Sequence, residues 1–437
     1  MRRELAITLR APVTWAVGAL SALLIGHGFV LAIDLYSASS RSALLSQLQM
    51  REMDPLAGVV RPTLGGVDLA ISILVPLIAV RALAVEKERR SYGVLCLQAG
   101  SSHLVIAKKF VATLAATVPI LAIPILLGAV FVAAGGRLDA IESGVALLGE
   151  ALHLLLAIAI GTMAAAWTRT LAHAATLALM LSLSAWAIDV GDGFAALAWL
   201  GGASSWSVER QLAPFQRGIL ALGSFSWLLI AVACSLSLAL VGGQFRVSRS
   251  KRAFQATAIC IVAALGLTLG SGWRQAYDWS EGRRQSLPPA AVTGLRALAR
   301  PLAIELFLDR DDSRRKQLES DVVAKLLLAR PDIEIRVPLD RDQTRSAAQR
   351  DDAYGRVVIH VGPRSRETRS TSRREIVTLL FDAASLAPPD WTQPYYPGHP
   401  IAIEGPKRAA LMFIAYAALP GTLLVAGFLL TRRRIMR

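Results

Sequence analysis

The 437-residue chain has few charged residues. Asp, Glu, Lys and Arg together make up 18% of it, whereas an average soluble domain carries about 25%. Asn is absent, so the chain offers no acceptor for N-glycosylation. Lys is scarce as well, with seven of the 47 basic residues, a bias that indicates a GC-rich, bacterial genome. The low charge predicts long uncharged stretches of the kind that cross a membrane.

Cysteine is rare, and the common catalytic motifs are absent. Cys96, Cys234 and Cys260 have no CxxC spacing, which excludes a disulfide framework and a cysteine-based zinc site. No Lys follows a Gly, so the chain lacks the P-loop that holds the phosphates of ATP. HExxH and Gly-x-Ser-x-Gly motifs are absent too, and zinc protease and serine hydrolase activities lose their main support. We therefore expect a protein that is not itself an enzyme and binds no cofactor.

Eight apolar stretches are each long enough to cross a bilayer. They lie at 11–33, 64–84, 110–134, 144–167, 171–189, 219–241, 254–272 and 409–430. The first follows a short basic segment but is longer than a signal-peptide core, and we expect it to be retained. The sequence thus predicts a polytopic α-helical membrane protein of about eight spans.

The distribution of Lys and Arg between the short loops predicts the orientation of the spans. With eight spans and a cytoplasmic N-terminus, 18 of these residues face the cytoplasm and six face the outside. The positive-inside rule therefore favours both termini in the cytoplasm, with the protein in the bacterial cytoplasmic (inner) membrane. A basic excess in cytoplasmic loops favours contact with anionic membrane lipids, and it gives no reason to expect nucleic acid as a partner.

The polar segment 273–408 lies between predicted spans seven and eight and would face the outside. Its 23 basic and 19 acidic residues give it the charge density of a soluble domain. Strands are predicted at 302–308, 333–339 and 356–361. An apolar repeat of four residues over 318–326 predicts a helix, and a capping box at Ser372 and Glu375 predicts a second. The order of these elements predicts a small extracytoplasmic α/β domain.

Burying a polar group inside a span is costly and often functional, and five polar residues of the predicted spans are candidates for a functional role. They are His27, Asp68, Glu150, His153 and Asp189. Glu150 and His153 are three residues apart and share one helix face, as in half of a carboxylate-bridged metal site. One copy of this pair does not by itself predict a metal. Hydrogen bonding between helices would account for all five residues, and a substrate pathway or ion coupling is the functional interpretation.

The stretch EKERRSYGVLCLQAGSSHLVIAKKF, residues 86–110, directly follows the second predicted span. It combines a mixed-charge start, a short apolar patch, a Gly-Ser-Ser break and a Lys pair. This pattern indicates a helix along the inner membrane surface, then a turn and re-entry into the membrane. An ordinary amphipathic interfacial helix, anchored by its basic residues, would also satisfy it.

This stretch resembles the permeases of the type 2 ABC exporters, whose hallmark is an E-K-E-R-G-T-x-E-x-L-L run, a Pro-Val-Ser turn and a Lys that opens span three. The positions that align with this hallmark are Glu86, Lys87, Glu88, Arg89, Ser91, Leu95, Ser101 and Lys109. Arg90, Ala99 and Lys108 depart from the Gly, Pro and Gly of the family. The resemblance implies that residues 86–98 are the coupling helix, which contacts a separate cytoplasmic ATPase subunit. It also implies that Glu86, Glu88 and Arg89 are its polar contacts, and that ATP and Mg²⁺ bind to the partner.

The start of the polar segment resembles a second family, the auxiliary subunit of gliding-motility-associated ABC transporters. That subunit has an aspartate, a Ser or Thr, a Ser-Leu-Ser/Pro motif and a Pro-led strand after a membrane helix. Here these features fall on Asp278, Ser280, the run 286–288 and Pro301. The segment is shorter than the extracytoplasmic part of that subunit. We therefore expect the second, larger extracytoplasmic lobe of the family to be absent from this domain.

Together the resemblances imply a six-span permease domain (1–245), a basic loop with span seven (246–272), the extracytoplasmic domain (273–408) and span eight with a basic tail (409–437). The expected function is the permease subunit of an ABC transporter, in the direction of export, working as a homodimer or heterodimer. An ion-coupled secondary transporter that uses Glu150, His153 and Asp68 is one alternative. A membrane-anchored scaffold or sensor that acts through its outer domain is another. The sequence does not indicate the substrate.

Overall fold

The structure is a computed structural model that describes residues 2–44, 49–50, 53–192, 206–244, 247–271, 273, 275–309, 312–338, 354–391 and 396–432. Its helices are α1 (Arg2–Leu9), α2 (Pro12–Ala43), α3 (Leu56–Glu88), α4 (Tyr92–Ala99), α5 (Ser102–Ala133), α6 (Ala140–Trp167), α7 (Leu171–Asp192), α8 (Val208–Leu212), α9 (Leu222–Gly242), α10 (Arg249–Ser271), α11 (Pro289–Ala297), α12 (313–329), α13 (Arg373–Ala384) and α14 (Gly405–Arg432). Its strands are β1 (Ile219–Ala221), β2 (Ala276–Asp278), β3 (Leu302–Leu306), β4 (Glu334–Arg336), β5 (Val357–Val361) and β6 (Arg364–Thr368).

Seven helices within the described residues are long and apolar enough to cross a membrane, as expected of a multi-pass membrane protein. They are α2, α3, α5, α6, α9, α10 and α14. Each of these seven coincides with a predicted span. The remaining predicted span, 171–189, falls on α7, where Leu171–Ser184 is apolar and most of the side chains that follow lie outside the described part of the structure. Eight crossings and the cytoplasmic position of the termini stay predictions.

The chain divides into two compact units. The helical unit comprises Met1–Ala187, Trp206–Trp273 and Pro397–Arg437, and the sheet unit comprises Ile188–Ser205 and Arg274–Tyr396. The predicted outer domain extends to residue 408, whereas the compact sheet unit ends at Tyr396. The difference arises because the chain from residue 397 onward hydrogen-bonds to the helical unit.

The core of the helical unit lies between α2, α3, α5 and α6. Ile25 and Phe29 of α2 pack there with Leu64 of α3, Leu127 of α5 and Ile158 of α6, all of them buried. α6 occupies the centre, since it packs against α3, α5 and α9. The polar side chains of α3 and α6 are therefore brought together inside the unit.

The last long helix, α14, packs against the first, α2. Tyr416 and His27 are hydrogen-bonded, with 2.8 Å between the hydroxyl oxygen and Nδ1. Arg408 donates two hydrogen bonds to the Asp34 carboxylate, at 2.7 and 2.8 Å. The two helices come so close at Gly26 that a Cβ atom there would lie 2.7 Å from the carbonyl oxygen of Ala415. This contact makes α14 part of the helical unit.

A strap of residues 397–404 runs along α2 before α14 begins. The backbone N–H of Ile403 donates to Ser37 Oγ at 2.8 Å, and that of Ile401 donates to Ser40 Oγ at 3.0 Å. The Tyr36 hydroxyl donates to the backbone carbonyl of His399 at 2.9 Å. These bonds satisfy backbone groups of an irregular segment that would otherwise be left unpaired.

The sheet unit contains a four-stranded sheet in the order β4-β3-β5-β6. β3 pairs with β4 in parallel and with β5 in antiparallel, and β5 pairs with β6 in antiparallel. The apolar side chains of β3 and β5 pack with α11, α12 and α13 in one core. A small α/β domain is therefore confirmed, and its position outside the membrane stays a prediction.

The elements of the sheet unit differ from the sequence predictions in two respects. β6, with the exposed sequence RSRET, was not predicted because its residues have no apolar alternation. α13 begins after Ser372 as predicted, but the Ser372 side chain makes no capping bond. Glu375 instead accepts a hydrogen bond of 2.5 Å from Thr368 at the end of β6. The carboxylate thus joins the helix to the neighbouring strand.

Gly26→Ala should destabilise the helical unit. The added methyl group would press on the backbone of α14, and overpacking of this kind costs about 1–3 kcal/mol. Gly18→Ala is the matched control on the same helix, because a Cβ atom there would meet only the Leu423 side chain at 3.9 Å. The midpoint of thermal unfolding of the full chain in detergent measures both effects. Equal midpoints for the two variants would contradict the close contact at Gly26.

Candidate functional site

Three of the predicted pathway residues form one buried cluster. Asp68 lies on α3, and Glu150 and His153 lie one turn apart on α6. His153 Nδ1 is 3.1 Å from Asp68 Oδ1 and 3.9 Å from Glu150 Oε2. Glu150 is fully buried and the other two residues are largely buried. We call these three residues the α3–α6 cluster.

Gln216 completes the cluster and was not predicted. It lies in a short turn, Phe215–Arg217, just before α9. Its Nε2 donates to Asp68 Oδ2 at 2.8 Å and to Glu150 Oε1 at 3.2 Å. Gly149 permits this position, because the Phe215 side chain occupies the space where a Cβ atom of Gly149 would lie. Sequence inspection offered no signal for Gln216, since a single Gln in a loop has no periodicity or spacing.

The α3–α6 cluster borders a cavity of about 520 Å³ within the helical unit. Asp68, His153 and Ser72 contribute polar groups to its lining, and most of the other lining side chains are apolar. His153 Nε2 lies 3.3 Å from Ser72 Oγ, so both ring nitrogens of His153 have polar neighbours. Glu150 Oε2 has no hydrogen-bond partner among the described residues. A buried carboxylate oxygen in this state can take up a proton or a cation.

The other two predicted pathway residues are not part of this cluster. His27 lies in the contact between α2 and α14 and bonds to Tyr416. Its position supports the alternative of hydrogen bonding between helices. Asp189 lies in α7, and its side chain falls outside the described part of the structure.

The predicted coupling helix, 86–98, is interrupted. α3 continues through the charged start and ends at Glu88, Arg90 adopts a positive φ of 58°, and α4 begins at Tyr92. The expectation of one helix over 86–98 is therefore wrong. The Arg at position 90 stands where the family has Gly, and the left-handed conformation there is one that Gly adopts most easily.

Lys87, one of the hallmark residues, joins the end of α3 to the end of α6. Lys87 Nζ donates to the carbonyl oxygens of Ala165, Ala166 and Thr168, at 2.9, 2.5 and 2.8 Å. These carbonyls lie at the C-terminal end of α6, where helix carbonyls lack partners within the helix. The ammonium group thus satisfies the end of α6 from the end of α3.

Glu86 joins α3 to both neighbouring segments. Its carboxylate accepts a hydrogen bond from Ser91 Oγ and lies 3.6 Å from Lys109 Nζ. Lys109 is buried and also contacts the Glu4 carboxylate at 3.0 Å. Ser101 caps α5 by accepting a hydrogen bond of 3.2 Å from the backbone N–H of His103. Glu86 therefore has a structural role within the chain, and its predicted role as a contact to an ATPase subunit is untested.

The remaining side chains of this segment divide between a packed face and an exposed face. Leu95 and the buried Tyr92 pack on the helical unit, and the Tyr92 hydroxyl donates to the carbonyl of Gly243 at 2.7 Å. Burial raises the pKa of Tyr92 well above its ordinary value, so this hydroxyl remains a donor at neutral pH. The exposed side chains are Glu88, Arg89, Arg90, Val94, Leu97 and Gln98. We call them the α4 surface.

The motif at the start of the sheet unit forms a hydrogen-bonded turn. Asp278 Oδ1 accepts from the backbone N–H and the hydroxyl of Ser280, at 2.9 and 2.5 Å. Asp278 Oδ2 accepts from the Ser286 hydroxyl at 2.6 Å. Within the described residues, these motif residues have a structural role in shaping the chain before α11.

Lys87→Met should destabilise the helical unit by about 1–3 kcal/mol, because it leaves three partly buried carbonyl groups without their donor. Lys108→Met is the matched control, since it removes the same charge from the nearby helix α5. Thermal unfolding in detergent compares the two variants with the unmodified chain. A Lys87→Met protein as stable as Lys108→Met would show that the bonds to α6 contribute little.

Comparison with protein-family models, with curated proteins and with solved structures found no match. The functional interpretation therefore depends on two features of this chain, the α3–α6 cluster and the α4 surface. α3 carries Asp68 of the cluster, and α4 follows directly after the end of α3.

Proposed function

We propose that the chain is the permease subunit of an ABC transporter of the exporter type. It moves a substrate across the bacterial cytoplasmic membrane with energy from ATP that a separate cytoplasmic ATPase subunit hydrolyses. The observation that carries this proposal is the α4 surface. Its side chains lie on the short helix α4 and at the end of α3, in a region fixed to the long helices α3 and α6. The hallmark residues of the ABC permeases occupy this place.

The composition of the α4 surface suits a protein partner. Leu97 and Val94 are exposed by 69% and 54% beside the charged Glu88 and Arg89. Apolar side chains ringed by charges are typical of interaction sites. Membrane lipid at the bilayer surface is the alternative occupant of this helix, and the experiment below distinguishes the two.

The attachment of α4 suits the transmission of motion. A force on α4 reaches α3 through Glu86 and Ser91, and it reaches the end of α6 through Lys87. Because packed helices resist deformation, such a force would move α3 and α6 as rigid bodies. This supports α4 as the coupling element between ATP hydrolysis and the membrane helices.

The rest of the proposal follows from the helix arrangement and the resemblance together. A pathway in this family is formed by two permease units, so we propose a homodimer or a heterodimer. α10 and α14 precede and follow the main segment of the sheet unit in the sequence. Together with that segment they would correspond to a fused two-span auxiliary subunit. The contact of α14 with α2 supports a single functional body, since the added helix packs on the first permease helix.

Leu97→Glu and Arg89→Glu should reduce association with the ATPase subunit by about tenfold or more, as expected when a central interface residue is replaced. Both residues are exposed, so the variants should fold. Arg137→Glu is the control, because it reverses the charge of an exposed Arg in a loop predicted to face outside. The chain would be co-expressed in turn with each ABC ATPase subunit of its own genome, purified through a tag, and assayed for co-purified ATPase activity.

Two results would contradict the proposed function. One is full association of the Leu97→Glu and Arg89→Glu variants with the ATPase. The other is a purified wild-type chain that transports without any ATPase subunit. Binding of the α4 segment to protein-free liposomes, without any association with the ATPase, would favour an ordinary interfacial helix.

A second candidate function is an ion-coupled secondary transporter. The observation that favours it is the α3–α6 cluster, which combines a fully buried Glu150 with His153 and Asp68 beside a cavity. Buried ionisable residues of this kind serve as proton relays in membrane transporters.

Asp68→Asn should reduce proton flux by about tenfold or more, because it removes a charged hydrogen-bond partner of His153. Asp34→Asn is the control, since Asp34 bonds to Arg408 on the exposed side of α2. The flux would be followed with a pH-sensitive dye inside liposomes that contain the full chain and no ATPase. Flux that is equal in both variants, or absent from the wild-type chain, would exclude this second function.

A further inference from the structure

We infer that Asp68, Glu150 and His153 form a binding site for one divalent transition-metal ion, with Gln216 as a fourth ligand. The inference depends on neither proposed function, because a bound ion can stabilise the helical unit without being transported. It rests on the spacing of the donor atoms, on the Glu150 oxygen that has no hydrogen-bond partner among the described residues, and on the charge of the cluster.

The donor atoms are close enough to share one ion. One ligand atom from each of the three residues lies within 4.8 Å of the other two. In a tetrahedral zinc site the ligands lie about 2.0–2.2 Å from the metal, which places them about 3.3–3.6 Å from one another. The separations of 3.1 Å from Asp68 to His153 and 3.9 Å from His153 to Glu150 bracket this value. These two separations are therefore compatible with one shared ion.

The charge of the cluster favours a cation. Asp68 and Glu150 place two carboxylates in one buried space, and His153 is the only basic side chain among the described residues in the cluster. Burying a carboxylate without compensation is costly. A divalent ion would balance both carboxylates, and it would give Glu150 Oε2 the partner that it lacks among the described residues.

Gln216 can act as a ligand without moving its backbone. Its Nε2 lies between the two carboxylates, 2.8 Å from Asp68 and 3.2 Å from Glu150. Rotation of the side-chain amide by half a turn exchanges Nε2 and Oε1, and the carbonyl oxygen then lies beside both carboxylates, where it can bind a cation that they share. The amide can therefore donate to the carboxylates in the empty cluster and bind the metal in the occupied one.

The donor set indicates the class of ion. One imidazole nitrogen with carboxylate and amide oxygens suits Zn²⁺, Mn²⁺ or Fe²⁺, and the absence of thiolate from these residues disfavours Cu⁺. His153 Nε2 lies 3.3 Å from Ser72 Oγ, and a polar partner on the second ring nitrogen is typical of a metal-bound histidine. The adjoining cavity gives an ion access to Asp68 and His153.

Metal binding by the full chain tests the inference. The protein in lipid nanodiscs would be stripped with a chelator, dialysed against Zn²⁺ or Mn²⁺ and analysed by mass spectrometry of the metal content. We expect one ion per chain, and we expect His153→Ala and Glu150→Gln to weaken binding by at least about tenfold. His27→Ala is the matched control, because it removes a membrane-helix histidine that bonds to Tyr416 outside the cluster.

Co²⁺ supplies a second readout that separates binding from misfolding. Coordination by His153 and the carboxylates should produce a visible ligand-field band, which Glu150→Gln should shift or abolish. Glu150→Gln keeps the shape of the side chain, and elution as a single species in size exclusion confirms its fold.

The inference is overturned if the folded wild-type chain retains no ion above a protein-free blank. It is also overturned if the folded variants retain as much as the wild type. Metal binding without proton flux would leave the inference intact and exclude the second candidate function.

Discussion

The pairing of α3 with α6 is the constraint on which the rest of the helical unit depends. Polar contacts join the two helices at separate levels, with Asp68 and His153 at one and Lys87 and the last carbonyls of α6 at the other. Because hydrogen bonds have strict distance requirements, these contacts fix both the register and the distance of the helices. The apolar packing between them then has one arrangement in which both contacts are satisfied.

This pairing also connects the two candidate sites. Asp68 and Glu86 are 18 residues apart on α3, a distance of about 27 Å along a helix. The middle of α3 therefore borders the cavity, and its C-terminal end leads into α4. A shift of α3 along its axis would change the distance between Asp68 and His153 at the same time as it moved α4. The α3–α6 cluster and the α4 surface are thus mechanically dependent on each other whichever function the protein performs.

The sequence predicted those features that arise from long, regular patterns. Seven long apolar runs became long helices, and the short apolar runs at 302–308 and 356–361 became β3 and β5. It also predicted that Glu150 and His153 share a face, because helix periodicity alone places them there. Features that depend on a single distant contact were not predictable. Gln216 reaches the cluster only through the packing of Phe215 on α6, and the strap at 397–404 is set by Ser37 and Ser40 on α2.

The contact between α2 and α14 has a consequence for how the chain is made. His27 and Tyr416 are 389 residues apart, and ribosomes deliver a chain from its N-terminus onward. The groove at Gly26 is therefore synthesised before its partner and must wait until several hundred further residues have been translated. During that interval the face of α2 around Gly26 is open to lipid or to other membrane proteins. The packing of α2 is thus completed only when α14 is inserted, and a chain truncated before α14 would leave α2 incompletely packed.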